Sequence, residues 1–359
     1  MKTKRKTIIF SGGGTGGSVT PLLAVIKELQ KKHPDWRIVF FGSISGIERE
    51  MLKKEDLKYY PIFSGKLRRY FSVKNFLDIF NILAAFIQSF IYLLILRPKA
   101  VLSAGSFVSV PVAYSAYLLR IPVFSHQQDI IVGLANKLMA MVSKKVSVSF
   151  SKSLDDFKSK AVLTGNPVRE EFKNINRNRE DLLNKYKLKP DLPIILALGG
   201  GTGAKGINDL LFKSYNNIKD KVQVIHILGN RKASDIKDDN YHSYSFLEAE
   251  KIAEVLYLSN LVVSRCGMGF ITELSYLSKP AIFIPMPSSH QEDNADYIKK
   301  NQAAIVLEQD KLGAEDFSRE IIGILEDNEA RKKYQENLYN LVPKEASEKI
   351  INIIDDYVK

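Results

Sequence analysis

The chain has 359 residues, 45% of them hydrophobic and 26% charged, with a single cysteine, Cys266. That length asks for two domains, the composition excludes a disordered chain, and one cysteine excludes an internal disulfide framework. The net charge of +12 is concentrated in residues 1–100, which hold 18 Lys and Arg against 7 Asp and Glu, while the remainder is nearly balanced. Such a basic portion suits an anionic surface, but no interleaved Arg and aromatic platform marks it for nucleic acid.

The basic start, MKTKRKTIIF, breaks into glycines after Ser11 and does not read as a signal peptide. TIIF (7–10) reads as a strand, GGGTGGS (12–18) as a loop, and the stretch to Leu29 as a helix. RIVFF (37–41), AVLSA (100–104), PVFS (122–125) and KVSVSF (145–150) continue the strand series. After Pro167 the cycle restarts with PIILAL (193–198), VQVIHIL (222–228), LVVS (261–264) and AIFIP (281–285). The second start, PIILALGGGTGAKGINDLLF, repeats the strand, glycine loop and helix of the first. Strands alternating with helices predict parallel α/β sheets, and two such starts predict two Rossmann-like domains. The boundary is expected near GNPVR (165–169), with ligands at the carboxyl ends of the strands and a cleft shared by both domains.

Between these strands lies FLDIFNILAAFIQSFIYLLIL (76–96), 21 residues and long enough to span a bilayer. Asp78, Asn81, Gln88 and Ser89 fall within an arc of about 100° on a helix, which argues for an amphipathic helix. Its wide apolar face is flanked by Lys66, Arg68, Arg69 and Lys74 before, and Arg97 and Lys99 after, a pattern suited to anionic headgroups. The expectation is a crossover helix that also attaches the protein peripherally to a membrane.

Glycines at a strand-to-helix turn allow close approach, and the amides of the helix start favour a phosphate or diphosphate. The P-loop reading fails because no lysine precedes Ser18, and a dinucleotide site lacks its carboxylate before Glu48. The dinucleotide reading is thereby weakened but stays open, and a nucleotide-sugar enzyme is the third reading. Several motifs then stand in order: GGGTGG (12–17), SGKLRR (64–69), AGSFVSVP (104–111), HQQD (126–129), GLANK (133–137) and GNPVR (165–169), followed by GGGTGA (199–204), SRCGMGFITEL (264–274) and HQEDNA (290–295). Together they resemble the MurG family of peripheral-membrane glycosyltransferases over roughly residues 7–340.

The resemblance implies a GT-B fold, two Rossmann-like domains with parallel sheets facing across a cleft. It also implies inverting transfer of N-acetylglucosamine from UDP-GlcNAc to the C4 hydroxyl of the muramyl sugar in undecaprenyl-diphosphate-linked lipid I, at the cytoplasmic face of the membrane. Residues 1–167 would bind acceptor and membrane, 168–340 would bind donor, and a helix in 341–359 would pack back on the first domain. Gly14, Thr15, Gly16, Gly17, Ser18, Phe107, Gln127 and Asn136 become acceptor or diphosphate contacts. Asn166, Arg169, Gly201, Thr202, Met268, Gly269, Phe270, Glu273, His290 and Gln291 become donor contacts, with Glu273 accepting from the ribose hydroxyls.

The acceptor side departs from the family. Its first loop usually ends in His where this chain has Ser18, and its His-Glu-Gln-Asn is His126-Gln127-Gln128-Asp129. Ser18 can donate to a diphosphate oxygen and cap the helix. His126 is the first candidate for the base and Asp129 the second; a buried, satisfied His126 is the competing reading. No Asp-x-Asp occurs and the five histidines have no ligand spacing, so neither metal nor cofactor is expected. Alternatives are a transferase for another lipid acceptor, a UDP-GlcNAc 2-epimerase, and a nucleotide-sugar binder without turnover.

Overall fold

The computed structural model describes residues 5–53, 55, 57–65, 73–201, 203–230, 234 and 236–358, with only the backbone for 73–77 and 79. Lys66, Arg68, Arg69 and Thr202 lie outside the described residues. The chain divides into two units: residues up to Arg169 together with those from Pro343, and Glu170–Val342. The sequence reading had placed these borders after 167 and 340.

The first unit is built on seven strands: β1 (Thr7–Ser11), β2 (Arg37–Ser43), β3 (Lys58–Ile62), β4 (Ala100–Ser103), β5 (Val123–Gln127), β6 (Lys145–Val148) and β7 (Ala161–Leu163). They lie in the order β3-β2-β1-β4-β5-β6-β7, all neighbours parallel. Strand side chains alternate between faces. Ile8 and Phe10 therefore join one core with Leu22, Val25 and Phe40, while Ile9 joins the opposite core with Val39, Phe41 and Val112. Helices cover both faces, as a parallel sheet requires.

The second unit holds β8 (Ile194–Leu198), β9 (Gln223–Ile227), β10 (Tyr241–Tyr244), β11 (Leu261–Ser264), β12 (Ala281–Phe283) and β13 (Ile305–Val306). Their order is β10-β9-β8-β11-β12-β13, again wholly parallel. Both sheets reverse direction of growth once, between β1 and β4 and between β8 and β11. Loops leaving those strands diverge, and the gap they leave is where such sheets hold ligands.

The helix Val73–Leu96 begins three residues before the expected start. Two of its polar residues turn inward. Ser89 is fully buried, and Gln88 accepts from the Phe63 amide and donates to the Pro61 carbonyl, both at 3.0 Å, at the end of edge strand β3. The outward stripe is apolar: Phe80, Leu83, Ile87, Ile91, Leu94 and Ile95 are exposed. Among the described residues, no helix is long and apolar enough to cross a membrane.

The last helix, Ala346–Val358, belongs to the first unit. Ile350, Ile351, Ile354 and Val358 enter the core formed by Val25, Ile26 and Leu29. At its end, Lys32 Nζ pairs with Asp355 at 2.8 Å and Lys6 Nζ donates to the Val358 carbonyl at 3.0 Å. The ion pair is partly exposed and the carbonyl bond is a single contact, so both contribute little and apolar burial holds the helix. Ile351→Ala is expected to cost about 3 kcal/mol of the first unit's stability in denaturant unfolding, and a loss below about 1 kcal/mol would remove the helix from that core.

Candidate functional site

In the first unit, the glycine loop follows β1 at the switch point. Thr15 and Gly17 are exposed, and Gly14, at φ +81°, occupies a left-handed conformation that favours glycine. Phe107, from the loop after β4, lies over Gly14, and Ser106 donates to the Gly13 carbonyl at 2.9 Å. The two diverging loops are thus tied to each other across the β1–β4 gap.

Ser18 differs from its expected role. Its hydroxyl faces inward onto the Gly13 and Thr15 carbonyls, at 3.2 and 3.3 Å, and the residue is buried. The N-cap of the helix Thr20–Lys32 is Val19, with no side-chain capping bond. Ser18 shapes the loop from within instead of capping the helix.

His126, at the end of β5, has both ring nitrogens engaged within the protein. Nε2 meets Asn166 Oδ1 and Nδ1 meets the Ser147 hydroxyl, each at 2.8 Å, with the ring 1% exposed. The Asn166 oxygen only accepts, so Nε2 carries the proton. Burial lowers the imidazole pKa to about 4, against the opposing pull of its hydrogen bonds to Asn166 and Ser147. This geometry matches the buried, satisfied histidine, not a base reaching for substrate.

Gln127 and Asn136 are likewise spent on the scaffold. Asn136 Nδ2 donates to Gln127 Oε1 at 2.6 Å and to the His126 carbonyl at 3.1 Å. Gln127 Nε2 in turn donates to the carbonyls of Asp129 and Ile131 at 2.7 and 3.2 Å. Together they fix the bend on which Asp129 sits, partly exposed. Asn166, expected at the donor, belongs with His126 in the first unit, and Arg169 is that unit's last residue before the crossing.

The second unit repeats the plan. After β8 comes Gly199–Gly203, with Gly200 at φ +87°. After β11 come Arg265, Cys266 and Gly267, the N-cap of the helix Met268–Tyr276. A Cβ added at Gly201, Gly267 or Gly269 would meet nothing within 4 Å. Packing does not require those positions to be bare, so they are available to a ligand approaching the helix start.

Met268 departs from expectation: its side chain is buried, and what it brings to the helix start is backbone. Phe270 is half-buried and Glu273 is buried on the same helix, past its first turn. Burial pushes the Cys266 thiol up to about 12, which makes it a packing residue. His290 is exposed at the N-cap of the helix Gln291–Lys300. Gln291 Oε1 accepts from the Met286 amide at 3.0 Å, so its Nε2 group is turned away as a donor.

Two residues escaped the sequence reading. Arg265 donates through Nη1 to the Ile284 and Pro285 carbonyls at 2.9 Å each, and through Nη2 to Gln309 Oε1 at 2.7 Å. It ties the loops after β11, β12 and β13 together. Glu48 lies fully buried beneath the first glycine loop and accepts the Gly14 amide at 3.0 Å. The bare Gly42 and Gly46 that flank its entry were the available signal. Among the described residues, no three His, Cys, Asp or Glu side chains come together as a metal site.

Two Rossmann-like units, each with a glycine loop at its switch point, define a GT-B architecture for nucleotide-sugar chemistry. Residues 8–148 match the Glycosyltransferase family 28 N-terminal domain and residues 194–351 its C-terminal domain. The UDP-N-acetylglucosamine–N-acetylmuramyl-(pentapeptide) pyrophosphoryl-undecaprenol N-acetylglucosamine transferase of Clostridium botulinum (strain Langeland / NCTC 10281 / Type F) is 36% identical over 361 residues, covering 99% of this chain and all of that one. The chain therefore belongs to the MurG family of glycosyltransferases. In fold it is similar to Acinetobacter baumannii MurG, with a TM-score of 0.75 at 22% identity over 98% of this chain and 99% of that one. The UDP-GlcNAc 2-epimerase of Neisseria meningitidis shares the fold too, with a TM-score of 0.70 at 16% identity over 98% of this chain and all of that one.

The His126 environment has a pH consequence. Its folded pKa, about 4, lies below the unfolded value of 6.5, so the unfolded chain takes up the proton first. Its contribution is complete above pH 6.5 and is lost as pH falls towards 4, reaching about 3 kcal/mol. Denaturant titrations between pH 7 and 4.5 should show this loss in the wild type and not in His126→Gln. An equal loss in both would place the acid sensitivity elsewhere.

Proposed function

We propose that this chain transfers N-acetylglucosamine from UDP-GlcNAc to the C4 hydroxyl of the N-acetylmuramyl sugar in undecaprenyl-diphosphate-linked lipid I, forming lipid II with inversion at the anomeric carbon. Its near-full-length relationship to transferases of that name carries the reading. The bare backbone at Gly201, Gly267 and Gly269 supports a diphosphate in the second unit, and the loop over Thr15–Gly17 supports one in the first.

In this reading the second unit binds the donor. Glu273 holds the ribose hydroxyls, and Gln291, with its oxygen committed to Met286, donates to the sugar through Nε2. The first unit binds the acceptor through its glycine loop and Phe107. The acceptor oxygen bonds to the anomeric carbon as the bond from that carbon to the UDP oxygen breaks. Asp129 takes the hydroxyl proton, because His126 presents no nitrogen lone pair to an incoming group. Charge gathering on the leaving UDP meets the amides of the Met268–Tyr276 helix start. Gln127 and Asn136 order the bend that carries Asp129.

The test uses labelled UDP-GlcNAc with lipid I in detergent. Label should pass to the lipid, with UDP released only when lipid I is present. Conversion to UDP-ManNAc, or binding without turnover, would overturn the reading. Asp129→Asn should lower kcat by about a hundredfold or more, and His126→Ala should retain most turnover where it remains folded. The opposite order reverses the two roles.

We further infer that the chain docks peripherally on the cytoplasmic leaflet through the apolar stripe from Phe80 to Ile95, with basic residues around it. An exposed apolar stripe of that length marks an interaction surface, and Arg97 and Lys99 stand exposed at its end. Ile87→Glu with Ile91→Glu should abolish cosedimentation with phosphatidylglycerol-containing vesicles and spare turnover of detergent-solubilised lipid I. Unchanged vesicle binding would remove the stripe from the docking surface.

A further inference from the structure

The glycine loop of the first unit stands on a buried carboxylate that the transfer step does not use. Glu48 has no exposed surface. Its Oε2 accepts the Gly14 amide at 3.0 Å, and its Oε1 accepts the Ser43 amide at 2.6 Å and the Ser43 hydroxyl at 2.5 Å. Burying a carboxylate is costly unless its lone pairs are met, and here three donors converge on it.

The surrounding chain is cut away to admit it. A Cβ at Gly13 or Gly46 would run into its carboxylate oxygens, and one at Gly42 would meet its Cγ at 2.9 Å. Tyr59 completes the shell by donating to the Ser43 carbonyl at 2.5 Å. Burial first, and then the Glu48 charge, push the Tyr59 phenol upward, so it stays a neutral donor. Three bare positions and one tyrosine thus surround a single side chain. Packing alone would be better served by an apolar residue.

The carboxylate does what an apolar residue could not. It takes the Gly14 amide and pins the left-handed corner, which leaves the backbone around the exposed Thr15 and Gly17 as the part of the loop that meets an anion. Only a carboxylate accepts from all three donors, since a glutamine would set its NH₂ group against one of them. We propose that Glu48 is a positioning residue for the acceptor diphosphate, fixing the Gly13–Gly14 corner so that the loop is formed before the ligand arrives. This rests on the reading of the first unit as the acceptor site.

Two variants test it from opposite sides: Glu48→Gln changes the acceptor set, and Gly46→Ala displaces the carboxylate without altering its charge. Each should lower kcat/KM for lipid I by about tenfold or more, while KM for UDP-GlcNAc stays within about twofold. Each should also speed amide hydrogen exchange across residues 12–18 and leave exchange in the second unit unchanged. Leu52→Ala, a buried core residue on the same helix as Glu48, separates positioning from stability. It should lower Tm and leave both effects absent. Wild-type acceptor kinetics and loop exchange in the two variants overturn the proposal, as does a parallel fall for both substrates in step with Tm. Should the wild type itself not use lipid I, the transferase reading fails, and loop exchange alone decides the role of Glu48.

Discussion

A parallel sheet clothed in helices on both faces leaves polar ligands one place to bind, the carboxyl edge where the strand order reverses. The rest of this molecule is arranged around that constraint. At each switch point the chain must offer backbone amides to an anion, and it can do so only where side chains are absent. In the proposed function the first unit would meet the requirement with Gly12–Gly17 and the second with Gly199–Gly203 and Gly267–Gly269. Bare loops, however, are conformationally free, and a loop that must be ordered on binding loses affinity to entropy. Both units answer with a charged side chain whose bonds run to loop groups: Glu48 under the first loop, on two amides and the Ser43 hydroxyl, and Arg265 behind the second, on two carbonyls and the Gln309 amide oxygen.

The same economy explains the polar residues beside the first loop. His126, Asn166, Gln127 and Asn136 are the residue types expected of a reacting centre, yet their hydrogen bonds run to one another and to main chain. These bonds hold the side chains in one arrangement, in which the buried Asn136 Oδ1 is the atom left without a partner. What this network holds in place is the bend after β5. The carboxylate that this bend carries, Asp129, keeps contact with solvent.

Much of this was legible in the sequence. The nine strands read from apolar runs are the interior strands of the two sheets, where burial on both faces writes a continuous hydrophobic signature. The four that escaped, β3, β7, β10 and β13, are the four sheet edges. They are short and partly exposed, so KYYPI and YHSY carry mixed polarity and no strong periodicity. The glycine loops were legible because their composition is itself the signal. Glu48 and Arg265 were not, because their partners are backbone atoms brought together only by the fold. For His126 the sequence left two readings open, and no residue near it in the chain could decide between them. Ser147 and Asn166, which do, lie 21 and 40 residues away.

The helix Val73–Leu96 shows why periodicity alone gave the arc but not its direction. A polar arc on a surface helix ordinarily faces water. Here the helix lies beside edge strand β3, whose end presents a carbonyl at Pro61 and an amide at Phe63 that need partners. Gln88 supplies both, and Ser89 follows it inward. An edge left with open hydrogen-bonding groups recruits other chains, so covering it has value of its own. Turning the polar arc to the sheet edge turns the apolar arc outward. One rotation of the helix therefore caps the end of β3 and creates the exposed apolar stripe, so that the stripe is the other side of a solution to an edge-strand problem.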